Sequence, residues 1–241
     1  MRRGVYTVNM SGTLGAASIA DAAIALADAE GVGAVSMRRV GANLGVSGMA
    51  LYRHVGDRED LVRQMVARVA GELPPVPEGE AGWQDTLRRL ATTVWVAFER
   101  HRWLADVAVS PTRLVDATSA RATETVLARL VAAGLSPERA GDVFLGTAAL
   151  VIGVARVTLG PAGDRPVEYA IDGAADGAAE GRPASSPRAA ELADGFRNQP
   201  LDAARGRRLL DTTLDAYLSG VAASLDPEPG GSRAGSRKDL T

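Results

Sequence analysis

Gly45-Val46-Ser47, followed by Leu51-Tyr52-Arg53-His54-Val55 and then Gly56-Asp57-Arg58-Glu59-Asp60-Leu61, is the stretch on which the fold turns. It reads as two short helices joined by a glycine turn, with a capped third helix behind them. Gly45 supplies the left-handed step that ends one helix, Ser47 caps the next, and Asp57 opens the one after. Leu51 and Val55, four residues apart, return to the core that Val40 and Leu44 face. Gly41, four residues before the turn glycine, permits the close approach that two steeply crossing helices need. Such a unit presents one short helix to a DNA major groove.

Helix signals continue in both directions with little sign of strands, so the expected class is all-α. On the N-terminal side, Ser18 with Asp21 opens a helix whose Ile19, Ala23, Leu26 and Ala27 recur at helical spacing, and Gly31-Val32-Gly33 ends it. Ser36 caps the helix before the turn. Asp57 begins a fourth helix through Leu61, Val62, Met65, Val66 and Val69 to the break at Leu73-Pro74-Pro75. Residues 1–17 read as a flexible arm, in which Arg2 and Arg3 could touch a minor groove, although such residues are more often solvated charge. Residues 18–73 form the helix-turn-helix domain and 74–226 a larger helical domain. Within the latter, 161–187 reads as a mobile loop rich in Gly, Ala, Asp and Pro, and residues 227–241 as a disordered tail.

In the larger domain a long amphipathic helix is expected from Trp83 through Leu87, Leu90, Val94, Phe98 and Trp103. Ser110-Pro111 reads as a cap, Thr118 to Ala133 as helical, and Ser136-Pro137-Glu138-Arg139 as a strong helix start. The helix it opens carries Gly146, Gly153 and Gly160 at heptad intervals with Ala149 between the first two, a stripe that admits a close neighbour. A C-terminal helix from about Leu201 to Leu225 offers Leu210, Leu214, Tyr217, Val221 and Leu225 as a complementary ridge. The apolar run Val143 to Ala155 falls short of the roughly 20 residues that cross a bilayer, which favours a buried helix.

Composition narrows the chemistry. The 241 residues are long enough to bury a proper core, and the absence of cysteine removes disulfides, thiolate zinc sites and cysteine nucleophiles together. A formal net charge of −2 excludes a uniformly basic nucleic-acid binder, so DNA contact falls to a local basic surface. Lys238 is the only lysine, and guanidinium groups carry the remaining positive charge. The first residues lack the apolar core of an export signal, so the expected location is the cytoplasm. With two histidines, His54 and His101, and no calcium-loop spacing in 172–181, no metal and no cofactor are expected.

Residues 25–31 (Ala-Leu-Ala-Asp-Ala-Glu-Gly), 37–41 (Met-Arg-Arg-Val-Gly), 44–47 (Leu-Gly-Val-Ser) and 50–55 (Ala-Leu-Tyr-Arg-His-Val) together carry a family resemblance. The segment from Ser18 to Glu72 resembles the DNA-binding domain of the TetR (tetracycline-repressor-like) transcriptional regulators, with these motifs in the family's order. The resemblance implies a homodimeric repressor, released from its operator when a small molecule bound to the C-terminal domain changes the separation of the two recognition helices. By matching position, Arg38, Tyr52, His54 and Arg58 are expected to contact phosphates, with Arg53 on the same surface and Arg38 also able to reach a base. Ser47, Gly48, Met49 and Ala50 form the turn expected to enter the groove. Since only Ser47 there offers a polar side chain, specificity is expected to lean on thymine methyls, DNA shape and Arg38. The family also implies a four-helix dimer interface at Gly146, Ala149, Gly153, Leu210, Leu214, Tyr217 and Val221; core packing within one chain is the alternative. An effector pocket is expected among Trp95, Phe98, Glu99, His101, Trp103, Phe144, Thr147 and Arg156, since such cavities are mostly apolar with a few orienting polar groups.

Two other classes compete. An enzyme would need a nucleophile with its base or a metal cluster, and Gly45-Val46-Ser47-Gly48-Met49 lacks the final glycine of a hydrolase elbow, so no catalytic residue is expected. A helical interaction module without DNA function remains open, as does activation of transcription on the same scaffold.

Overall fold

The computed structural model describes residues 14–76, 82–108, 120–160 and 201–225, and among these the secondary structure is helical throughout, without strands. Four helices make the N-terminal module: α1 (Ala16–Glu30), α2 (Met37–Asn43), α3 (Gly48–Leu51) and α4 (Arg58–Ala70). Five follow: α5 (Trp83–Arg100), α6 (Trp103–Val107), α7 (Ala120–Ala132), α8 (Pro137–Leu159) and α9 (Ala203–Ala223). Most of the expected arm (residues 1–13), Ser110-Pro111, the loop at 161–187 and the tail at 227–241 lie outside the described residues.

Local sequence signals account for most helix ends. Ser36, Asp57 and Ser136 each accept a hydrogen bond from the backbone N–H three residues on, satisfying donors that a helix start leaves orphaned. Gly31 and Gly45 have φ of 82° and 70°, the left-handed region where a side chain is disfavoured. The first helix differs from expectation. It begins at Ala16, and Ser18 serves as its third residue: the Ser18 hydroxyl accepts from the Gly15 N–H at 3.1 Å and donates to the Gly15 carbonyl at 2.9 Å. Asp21 is then free to pair with Arg68 of α4, 2.9 Å away.

A second difference is at the end of α5. Apolar spacing continues to Trp103, yet the helix stops at Arg100, and His101 (φ −128°, ψ 77°) turns the chain into the separate helix α6. Contacts from outside the helix override its periodicity here, because the polar atoms of His101 and Trp103 both reach Asp28 of α1.

Ile19, Val40, Leu51, Leu61 and Met65 fill the core of the N-terminal module, whereas Leu87, Trp95, Leu130, Val151, Leu210 and Leu218 fill that of the helical domain. α8 spans 23 residues and by length and composition alone could cross a membrane. Its inward face, including Val143, Thr147, Val151 and Ala155, is buried by its neighbours in the fold. The expectation of a run too short to span thus understated the helix, while the reading as a packed helix agrees with its burial.

Candidate nucleic-acid interface

Leu51 is the buried residue of α3, and together with Val55 just beyond it anchors four helical residues that could not hold a helix alone. Burying one such leucine contributes about 1.5–3 kcal/mol. The remaining side chains therefore point away from the core. Met49 is 75% exposed and Tyr52 49%, and Ser47, Arg53 and His54 are exposed as well. The Ser47 hydroxyl makes no capping bond, which leaves it available to a base edge or phosphate. Beyond Leu51 the rod continues as a turn, with the His54 and Val55 N–H groups both donating to the Leu51 carbonyl.

Two glycines set the crossing of α2 and α3. A Cβ at Gly41 would meet the Val46 carbonyl oxygen at 2.9 Å, so the close approach expected at that position is present. Gly48 plays an equivalent part that its sequence position did not reveal. Its Cβ would lie 3.2 Å from the backbone of Met37 and Arg38, so a side chain here would press on α2 and the glycine favours close contact between the helices. That contact brings exposed Arg38 beside the leading turn of α3.

Arg58, expected among the phosphate contacts, is held differently. Its Nε donates to the Val35 carbonyl at 2.9 Å and its Nη2 to the Val32 carbonyl at 2.8 Å, so the guanidinium ties the start of α4 to the connection between α1 and α2. Arg39 is likewise engaged, with Glu30. Asp60 steadies the turn that follows α3: its carboxylate accepts from the Gly56 N–H at 2.9 Å and contacts Arg63 and Gln64. The Gly56 bond foremost, with help from Arg63, holds the Asp60 carboxyl below the usual carboxylate range.

The eight pocket candidates differ in burial and in partners. Glu99 and Arg156 are exposed, Phe144 is half-buried, and Trp95, Phe98 and Thr147 are buried. Thr147 donates its hydroxyl to the Val143 carbonyl. The indole N–H of Trp95 is buried without an acceptor among the described residues. His101 and Trp103 both bind Asp28. An apolar groove along α7, bounded by Thr123, Leu127 and Val131, is lined by none of the eight. Among the described residues no group of three His, Asp or Glu could hold a metal ion.

The expected dimer ridge also needs correction. Leu210 and Leu214 are buried within the single chain, and Tyr217 fills a notch over Gly146 where a Cβ would collide with its phenol. Val221 is half-buried against the same core. Seven residues fall about 20° short of two whole helical turns, so heptad glycines drift around a straight helix. Gly146 lies against Tyr217 of α9, whereas one heptad on, exposed Gly153 has nothing within 4 Å of its Cβ position among the described residues, and Ala149 is exposed. Leu145, Val157 and Leu209 add exposed apolar side chains on α8 and α9. Gly206 was not anticipated. A side chain there would strike Trp95 and Thr158, and its spacing with Leu210 and Leu214 on one face of α9 was the available signal.

Comparison with known proteins agrees with this architecture. Residues 19–65 match the family model for bacterial regulatory proteins of the tetR family, and residues 74–195 match that for the tetracyclin repressor-like C-terminal domain. The chain is 32% identical over 142 residues to the HTH-type transcriptional repressor DrrR1 of Streptomyces coeruleorubidus, a match covering 58% of this chain and 52% of that protein. It is 30% identical over 138 residues to the HTH-type transcriptional repressor Rv1353c of Mycobacterium tuberculosis, covering 55% and 53% respectively. These matches span about half the length of each relative. Among solved structures, apo ActR from Streptomyces coelicolor superposes with a TM-score of 0.69 at 26% identity, covering 90% of this chain and 98% of ActR. ActR in complex with actinorhodin gives 0.67 at 27% identity, covering 89% and 98%.

Proposed function

The chain belongs to the TetR family of bacterial regulatory proteins, and we propose that it acts as a homodimeric, non-enzymatic transcriptional repressor, released from its DNA operator by a small organic effector. The observation that carries this reading is α3 with its flanking turns, anchored by buried Leu51 and exposing Ser47, Met49, Tyr52, Arg53 and His54 beside Arg38. With Gly48 engaged against α2 and Arg58 with backbone carbonyls, the phosphate contacts fall to Arg38, Tyr52, Arg53 and His54. Met49 would pack on thymine methyls.

The outward stripe of α8 (Leu145, Ala149, Gly153, Val157), with Leu209 of α9, is the face we assign to the second subunit. It is apolar, open in the single chain and rich in small residues, as close helix pairing requires. A small-molecule effector is supported by the structures of ActR in complex with actinorhodin and with (S)-DNPA, and we place it in the helical domain. Within that domain, the Trp95 N–H is a donor for an effector oxygen, since a buried donor left unsatisfied costs about 1–3 kcal/mol. The cytoplasm is the compartment this role requires.

The test is selection of duplex DNA from a random pool by the full-length chain, followed by titration of affinity against salt. About six to eight phosphate contacts per dimer predict a log–log slope of roughly −5 to −7. A slope near zero, or unchanged DNA retention after Arg38→Ala with Arg53→Ala, would favour a helical interaction module instead.

A further inference from the structure

The corner between α5 and α6 grips two parts of the molecule at once. On one side, His101 Nδ1 lies 2.8 and 3.1 Å from the two Asp28 carboxylate oxygens, and Trp103 Nε1 donates to Asp28 Oδ1 at 2.8 Å. A carboxylate only accepts, so the His101 ring carries its proton on Nδ1. Both donors are buried, His101 at 6% exposure and Trp103 at 2%, while Asp28 comes from α1 of the N-terminal module. On the other side, Arg102 donates to the Leu159 carbonyl at the end of α8, 3.1 Å away. Three consecutive residues thus join the reader module to the end of the helix that carries the open apolar face.

The chemistry of this joint differs from an ordinary packed contact. Two N–H groups converging on one carboxylate hold it in a narrow range of positions because each bond is directional and charge-assisted; the donors are buried, while the Asp28 side chain is one-third exposed. A second charged link between the modules, Arg100 with Glu72, is exposed and 3.8 Å long, so it constrains orientation far less.

We infer that Asp28 is a positioning residue whose capture by His101 and Trp103 sets the angle between the reader module and the helical domain, and that Arg102 connects this clasp to α8. The inference builds on the proposed regulatory function, but the geometry it predicts exists within one chain and can be read without DNA, effector or dimer.

Because the protein lacks cysteine, Arg53→Cys with Glu138→Cys supplies one spin-labelling site on the exposed reader and one at the exposed start of α8. Pulsed electron spin resonance on the full-length chain, diluted with unlabelled chains, reads the intrachain distance between the two labels. In the unaltered background the distribution should be narrow. Asp28→Ala should broaden it about twofold while helix content persists, as expected when a domain orientation loses its restraint. Asp28→Asn, which keeps an acceptor for Trp103, should give an intermediate width, a graded response that loss of packing would not produce. Should Asp28→Ala fail to fold, Trp103→Phe removes the indole donor while keeping an aromatic ring, and it too should broaden the distribution. Unchanged width and mean in the folded variants would overturn the inference. Arg53→Cys alone, in undiluted protein, separately reports subunit pairing: a missing intersubunit signal would count against the homodimer and leave the intrachain result to decide the clasp.

Discussion

Arg38 and Arg58 each lie at the start of a helix, and from their spacing both suit phosphate contact, yet their surroundings separate them. Arg38 is exposed beside α3, whereas Arg58 donates to two carbonyls of the preceding connection. Arg38→Ala, which removes one phosphate contact from each subunit of the dimer, should therefore weaken DNA binding nearly uniformly across sequences and reduce the salt slope by about 2. Arg58→Ala should chiefly lower the melting temperature of the N-terminal module, measurable by circular dichroism without DNA. Asp60 offers a pH test with a definite sign. Its native pKa is lowered, so its stabilising effect is complete above the unfolded value of about 3.9 and fades as pH falls through the lower native value. Asp60→Asn should lower the melting temperature at neutral pH, with the difference from the parent protein shrinking in strong acid. Gly41 sets a steric limit. A Cβ already too close to the Val46 carbonyl makes Gly41→Val destabilising by about 1–3 kcal/mol in chemical denaturation.

At the scale of elements, α8 shows how one helix serves two surfaces. Its buried face packs within the chain, while Leu145, Ala149, Gly153 and Val157 remain open. Glutamate at Gly153 would place a charge on that open face without disturbing a neighbour in the same chain. Gly153→Glu should shift sedimentation from dimer towards monomer, while Tyr217→Ala should destabilise the subunit through lost packing over Gly146. Helix starts were legible because Ser36, Asp57 and Ser136 act on backbone only three residues away. The end of α5 was not, because the groups that turn the chain there answer to Asp28, 73 residues earlier in the sequence.

For the whole molecule, the arrangement couples a small reader to a larger helical body through a polar joint, and the direction of any response depends on that joint. The all-α class and the order of a helix-turn-helix module before a larger helical domain were readable from turn chemistry, caps and apolar period. The membership of the pocket and of the dimer face was not. Leu210 and Leu214 have the spacing of an interface ridge, and only their burial against the same chain distinguishes the two roles.

The amino-acid order by itself determined where the helices capped by Ser36, Asp57 and Ser136 start, where the glycine turn falls and which side of α3 must be buried, since caps, φ preferences and periodicity act over a few residues. Tertiary structure alone decided which arginine is free, which glycine receives a neighbour and which helix face stays open. Those outcomes depend on groups distant along the chain becoming adjacent in space, where a hydrogen bond or a collision excludes the alternatives.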